Sequence, residues 1–403
     1  MSHYRHLAGG PDGRLSPVER SRALATLLAA HSDAAERDAC MAPPVAEALR
    51  SAHLYRITAP KRMGGEGAPV RTFVDTVAEL AKTCPGSAWA YGIVTASTGM
   101  AASLPRVQTE LLFKRGDELT CFVGSKTGTA TPLGSGFLVS GQWPYASGCL
   151  QSDWAWCGVI IHDENGVPVD VGNAFIDLSG ENAKIIRDWN VAGLSASGSH
   201  RVAADKHFVP SELVVRDSQL ADRANFAAKG TAEPRDLWPA EPQFALTVVP
   251  AMLGAAVGML EAVRSKMNDR PIIGWQYERQ ADSHLLLAML GEAAIKIDSA
   301  FLHIYRVCDV MDSVAQKRKI TTLEKVRCQV DCGYAMRLLR EAADFLLNVV
   351  GPNAFALGSG IQRYWRDLSI GSRHNALNSG LSMELLGRAL IGSKSNIRNI
   401  PRL

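Results

Sequence analysis

The sequence predicts an α+β fold in three parts: helices, then strands, then helices. Three observations carry that prediction. Apolar residues recur at helical spacing from residue 16 to about 115. From about 118 to 215 that spacing gives way to short apolar runs separated by Gly, Pro, Asp and Asn. Helical spacing then returns over 244–393. This order argues for a helical bundle clasping a β-domain. The expected divisions are a helical domain at 1–117, strands at 118–215, a connecting loop at 216–243 and a helical bundle at 244–403.

Each element has a local reason. Ser16-Pro17-Val18-Glu19 reads as an N-cap, a proline at the first helical position and a capping-box glutamate. Leu24, Leu27, Leu28 and His31 then mark one helical face. A second helix is expected after Pro43-Pro44 and a third over about 71–83. Cys84-Pro85-Gly86 breaks the third, and Ser87-Ala88-Trp89-Ala90-Tyr91 opens a fourth, apolar enough to be buried. Runs such as 119–123, 136–140, 154–161 and 173–178 read as strands of an antiparallel sheet or barrel. Residues 216–243 are polar and contain proline and read as a long connection, of a length found in functional lids or disordered segments, and Trp238 within them is expected to cover a pocket. Residues 251–263 are rich in Gly and Ala, which permits close helix packing. Residues 284–304 are apolar almost all round, as in a bundle centre.

Composition narrows the function classes. The chain is 47% hydrophobic and 21% charged, an ordinary globular balance. Forty-three Lys and Arg stand against 40 Asp and Glu, a net charge of +3, too balanced for a nucleic-acid partner. The eight cysteines include no CxxC pair, and Cys328 and Cys332 lack a second ligand pair, so zinc is not expected. Scattered thiols suit a reducing cytosol. Residues 1–15 hold no signal-peptide core. No uncharged apolar run is read as reaching the roughly 20 residues that span a bilayer. A cytoplasmic protein without a membrane partner is expected.

Several motifs are missing. Gly134-Ser135-Gly136 is followed by Val139 where a dinucleotide fingerprint needs glycine, and no Walker or HExxH motif occurs. Gly358-Ser359-Gly360 lacks the spacing of a hydrolase elbow. These gaps disfavour nicotinamide-dependent and acyl-transfer enzymes.

What remains is a set of short motifs in fixed order. The first part holds Ala48-Leu49-Arg50, Leu54-Tyr55-Arg56, Pro60, Met63-Gly64-Gly65 and Gly86-Ser87-Ala88-Trp89. The middle holds Gly141-Gln142-Trp143-Pro144-Tyr145-Ala146-Ser147-Gly148-Cys149 with Asp153-Trp154 after it. Then come Trp189-Asn190-Val191-Ala192-Gly193-Leu194, Gly198-Ser199 and Phe208-Val209-Pro210. Arg366-Asp367, His374 and Gly387-Arg388-Ala389-Leu390 close the series. Together, over about 34–392, they resemble the acyl-CoA dehydrogenase fold. The likeness is greater to its oxygenase branch, the flavin-dependent two-component monooxygenases of the 4-hydroxyphenylacetate hydroxylase type. The resemblance implies an N-terminal helical domain, a central antiparallel β-barrel or sandwich and a C-terminal four-helix bundle. It also implies reduced flavin (FMNH2 or FADH2) from a separate NAD(P)H-dependent flavin reductase, O2 as co-substrate, and a homotetramer.

Ser147 lies between Ala146 and Gly148, where the backbone can approach a ring closely. By resemblance the turn from Trp143 to Gly148 lies against the isoalloxazine, and Ser147 bonds flavin or a substrate hydroxyl. The same resemblance places Ser199 and an arginine, Arg264 or Arg270, at the flavin. It places Trp89, Tyr145, Trp238 and Asn375 at the substrate. Structural readings stay open: Ser147 as a turn serine, and each arginine as a cation at a helix C-terminus.

In acyl-CoA dehydrogenases the loop after the Arg-Asp pair carries the glutamate that takes the substrate α-proton. Here that loop reads Arg373-His374-Asn375-Ala376, with no acid before Glu384 and no carboxylate between Glu241 and Glu261. Desaturation of a thioester is then left without a base. An imidazole titrates near neutrality and suits oxygenation, because it can take or hold the proton of a phenol or pyrrole-type N–H. His374 is therefore expected as the base or substrate-orienting group. The resemblance makes the chain an oxygenase that reacts reduced flavin with O2 to the C4a-hydroperoxide and hydroxylates an aromatic or heteroaromatic small molecule. An N-hydroxylase of an amine or amino sugar, an acyl-CoA dehydrogenase with a displaced base, and a catalytically silent scaffold homologue stay open. Near Cys121 the chain departs from the phenol hydroxylase pattern, since a substrate-contacting histidine is expected there and none occurs.

Overall fold

The helices begin where local chemistry places them. In the computed structural model, which describes residues 15–221, 232–398 and 400, Ser16 and Glu19 form the expected capping box at the head of α1 (Pro17–Ala23). The chain turns at Leu24 before α2 (Ala25–Arg37), so the buried stripe is Val18, Ser21, Leu28, Ser32 and Ala35. Leu24, Leu27 and His31 are only half-buried, a rotation of the expected face. Pro43 is the first residue of α3 (Pro43–Ser51), and α4 spans Val70–Ala81. Pro85 does more than break α4, because it heads α5 (Pro85–Ala101), in which every residue but Ile93 is buried. α6 is Arg106–Leu112. The chain forms two compact units. One is Met1–Phe73, Trp89–Val191 and Ser195–Ala240; the other is Val74–Ala88, Ala192–Leu194 and Glu241–Leu403.

Among the described residues the first unit holds seven strands: β1 (Thr120–Leu133), β2 (Gly136–Trp143), β3 (Trp154–His162), β4 (Pro168–Asp177), β5 (Ala183–Ile186), β6 (Arg201–Pro210) and β7 (Val214–Arg216). Their order is β5-β6-β2-β1-β3-β4-β7, with β5 and β7 at the ends. The expected all-antiparallel pairing needs one correction, since β1 and β3 run parallel. A tight hairpin at Gly134 (φ +56°) sets β2 on one flank of β1, and residues 144–153 carry the chain to the other flank. The β1–β3 register shifts between Val123 and Gly128; there Gly158 makes room, as a Cβ on it would lie 2.5 Å from Ser125 O. Trp156 stacks on Phe175 at 4.5 Å in the sheet's core.

The connection expected at 216–243 is partly built. α7 (Asp217–Ala221) follows β7, residues 222–231 lie outside the described residues, and Pro234–Leu237 forms a 3-10 turn. That turn is clamped, with Asp236 receiving two hydrogen bonds from Arg62 at 2.7 and 2.8 Å and Glu233 receiving one from the Lys61 amide at 2.6 Å. Trp238 is packed beneath the Arg235 guanidinium at 4.8 Å and is 2% exposed. It is a core residue, which corrects its expected role as a pocket cover.

In the second unit α8 (Ala240–Arg264) packs closely because its glycines face backbone. A Cβ on Gly254 would lie 2.0 Å from Ala78 O, and one on Gly258 2.3 Å from Lys82 O. This helix is long and apolar enough to cross a membrane, contrary to the sequence reading, but most of it is buried within the protein. α9 (His284–Asp309) packs along α10 (Thr322–Val350), and α11 (Gly360–Gly371) and α12 (Ser379–Leu390) complete the unit. α9 does not sit in a bundle centre. It buries Ala293, Ile297, Ala300, Phe301 and Ile304 but exposes Leu285, Ile295 and Leu302. All eight cysteines are thiols, and only Cys40 is not buried.

Candidate active site

Two sharp turns bring a row of hydroxyls together in the first unit. Tyr145 at φ +64° and Gly148 at φ +76° bend the chain around Ser147. A Cβ on Gly148 would lie 2.4 Å from Val94, so glycine lets this turn lie against α5, the helix that carries Trp89. The second turn, around Gly198 (φ +54°), is tied to the first by Ala146 N donating to His200 O at 2.9 Å and Gly148 N to Ser197 O at 3.4 Å. Trp89 Nε1–H then donates to Ser147 Oγ at 3.2 Å. Ser147 Oγ lies 2.6 Å from Ser199 Oγ, and Ser199 Oγ lies 2.7 Å from Ser197 Oγ. All four side chains are buried.

Beside the row, the Tyr145 ring is 68% exposed and meets Trp189 edge-on at 5.6 Å. A bulky residue at positive φ is uncommon and often marks a functional site. Trp143, expected at the flavin, is instead fully buried with its indole N–H donating to Gly158 O at 2.7 Å, so it belongs to the sheet's core. Cys121 is also fully buried, and burial pushes its thiol pKa far up.

The second unit positions His374 and Asn375, both exposed, after α11. His374 caps a 3-10 turn (Asn375–Leu377), and its Nδ1 accepts from the Ala376 amide at 3.3 Å. With Nδ1 as acceptor, the neutral ring carries its hydrogen on Nε2. Although the residue as a whole is exposed, atoms packed around the ring hold its pKa below the ordinary histidine value. Arg340 Nη1 donates to Ser372 O at 2.9 Å and steadies the start of this loop. The Arg-Asp pair is a clamp: Asp367 Oδ1 accepts from the Leu194 amide at 2.5 Å, and Arg366 donates to Ala192 O. Arg264 is exposed in the last turn of α8, and Arg270 is half-buried on the turn that follows.

The structure thus joins Trp89, Ser147 and Ser199 directly and places Ala146 in the same turn. His374 and Asn375 share a loop of the other unit. The sequence reading missed Ser197, Arg340 and the contact of Tyr145 with Trp189. Only Ser197 had a local signal, two serines flanking a glycine in a tight turn.

A flavin ring is flat and apolar on its faces, and its rim alternates N–H and C=O groups. The exposed Tyr145 ring against the half-buried Trp189, with the buried hydroxyl row beside them, fits such a group. Among the described residues no cluster of three His, Cys, Asp or Glu fits a metal ion.

The fold is that of the acyl-CoA dehydrogenases, as the sequence motifs implied. The family described as "Acyl-CoA dehydrogenase, C-terminal domain" matches residues 246–379. The structure of XiaF from Streptomyces sp. in complex with FADH2 and glycerol superposes with a TM-score of 0.90 at 28% identity, covering 96% of this chain and 97% of that one. The chain is 27% identical to the pigment production hydroxylase of Rhodococcus erythropolis, over 89% of this chain and 91% of that one. It is 24% identical, over 86% of each, to the oxygenase component of the FADH(2)-dependent resorcinol hydroxylase of Rhizobium sp. (strain MTP-10005). Its homologues are therefore flavin-dependent hydroxylases, oxygenase components among them.

Proposed function

We propose that this chain is the oxygenase component of a two-component flavin monooxygenase that hydroxylates an aromatic or heteroaromatic small molecule. The observation that carries the reading is the buried Trp89–Ser147–Ser199 row beside the exposed Tyr145 and its partner Trp189. Bound reduced flavin supplies the chemistry with O2. The chain's own residues bind, orient and keep water out. Ser199 and Ser147 meet the polar rim of the flavin or a substrate hydroxyl, with the Ala146 and Gly148 backbone against the ring.

His374 orients the substrate as an Nε2–H donor. Of the two roles expected from the sequence, base or substrate-orienting group, the engagement of Nδ1 by Ala376 supports the second. Asn375 flanks the substrate, and Arg270 or Arg264 meets the flavin tail. A separate NAD(P)H-dependent reductase delivers the reduced flavin. The exposed Leu285, Ile295 and Leu302 of α9 support assembly into a homotetramer. We place the enzyme in the cytoplasm.

The test supplies the purified chain with a generic flavin reductase, NADH and a panel of phenols, indoles, polycyclic aromatics and amines. A product heavier by one oxygen atom, formed only when the reductase is present, is expected. Tight oxidised flavin that an acyl-CoA reduces would overturn the reading in favour of a dehydrogenase. Binding of no flavin in either redox state would leave a scaffold.

A further inference from the structure

We propose that Trp89 and Ser197 select the redox form of the flavin by fixing the direction of hydrogen bonding through Ser199; this rests on the reading that Ser199 meets the flavin. An indole N–H can only donate, so Ser147 Oγ accepts from Trp89. A hydroxyl that accepts becomes a stronger donor, and bonds in a row reinforce one another when they run one way. The row that satisfies both conditions runs from Trp89 to Ser147, to Ser199, to Ser197, across 3.2, 2.6 and 2.7 Å. The reverse direction makes Ser147 accept from both sides and turns its own hydrogen out of the row.

In the one-way row Ser199 gives its single hydrogen to Ser197. What remains on Ser199 Oγ is lone-pair density, which receives an N–H. Reduced flavin carries hydrogen on N5, whereas oxidised flavin presents a lone pair there. The row therefore complements the reduced form and opposes the oxidised form. Ser197 is the acceptor that keeps the Ser199 hydrogen turned inward, and at 1% exposure it has no solvent competing for that place. Neither residue transfers a proton or an electron. Both are positioning residues acting through Ser199.

The experiment measures equilibrium binding of oxidised flavin in air and of reduced flavin under anaerobic conditions. It uses the wild type, Ser197→Ala, Ser197→Thr and Trp89→Phe. The wild type should prefer reduced flavin. Ser197→Ala frees the Ser199 hydrogen and should narrow the preference about five- to tenfold, the worth of one hydrogen bond, chiefly by tighter binding of the oxidised form. Ser197→Thr keeps a hydroxyl and should keep the preference. A Ser197→Ala ratio equal to wild type, or an equal change in both affinities, overturns the proposal while leaving flavin binding intact. Should Ser197→Ala fail to fold, Trp89→Phe must narrow the ratio, and an unchanged ratio there overturns it equally. A wild type that binds neither form sinks the flavin reading itself and this inference with it.

Discussion

Removing the Asp367 carboxylate tests whether the Arg-Asp pair holds the turn at 192–194. Asp367 is 2% exposed and receives the Leu194 amide at 2.5 Å. In Asp367→Ala that amide loses a hydrogen bond to a charged group, worth about 1.5–3 kcal/mol. Leu194 sits at φ +57°, a conformation that costs a non-glycine residue about 1–2 kcal/mol. Once released, it relaxes and recovers part of that cost. Regrowth of the turn elsewhere is limited by Gly193, where a Cβ would lie 2.5 Å from Arg366 O. The net loss to the local turn is about 1–2 kcal/mol, a factor of about 5–30 in its opening equilibrium. Native-state hydrogen exchange at the Leu194 amide reads this directly, and Asp367→Asn, which keeps an acceptor oxygen, should fall between. Unchanged Leu194 exchange in Asp367→Ala would refute the clamp.

Gly258→Ala should lower the melting temperature. Helix propensity favours alanine by about 1 kcal/mol, but a Cβ 2.3 Å from the Lys82 carbonyl oxygen forces the backbone apart, at about 1–3 kcal/mol or more; a rise in melting temperature would show that α8 is not so tightly seated. For His374 the lowered pKa means that the fold favours the neutral ring. Its contribution to stability is intact above the ordinary value of 6.5 and is lost as pH falls toward the lower native value. Protonation puts a hydrogen on Nδ1 and breaks the bond from the Ala376 amide that orients the ring, so hydroxylation should decline on that acid side, His374→Gln should flatten the decline, and nitrogen-15 NMR at pH 8 should place the hydrogen on Nε2. Leu302→Glu, on the exposed face of α9, should reduce the mass measured by light scattering; an unchanged mass removes this face from the subunit interface.

How much of this was legible in the sequence depended on how local the cause is. The Ser16–Glu19 capping box was readable because it is settled within one helical turn, and α3 and α5 were placed to within two residues, their prolines being read as lying before each helix and not at its head. The second half of β1 was not, since Ser125, Lys126, Thr127 and Thr129 carry no apolar alternation and one face of that strand is exposed. The parallel β1–β3 pairing is a long-range event with no local trace. α9 misled for a different reason: apolar on all sides, it reads alike whether its neighbours are its own chain or another. Trp143 and Ser147 share one motif. Only the structure shows that the tryptophan's N–H is taken by Gly158 while the serine joins Ser199.

The thiols have a consequence for how such a molecule ages. Reduced flavin that meets O2 away from a substrate yields hydrogen peroxide, and peroxide attacks thiolates, not thiols. Burial pushes the pKa of Cys149 and Cys328 up to about 12 and those of Cys157 and Cys332 well above the ordinary value. Burial thereby acts as a chemical shield for these sulfurs. Burial also pushes up the thiol of Cys40, but it is the one cysteine of the eight that is not buried, with Arg187 Nη2 4.0 Å from its Sγ, and this access leaves it as the place where oxidative wear is first recorded.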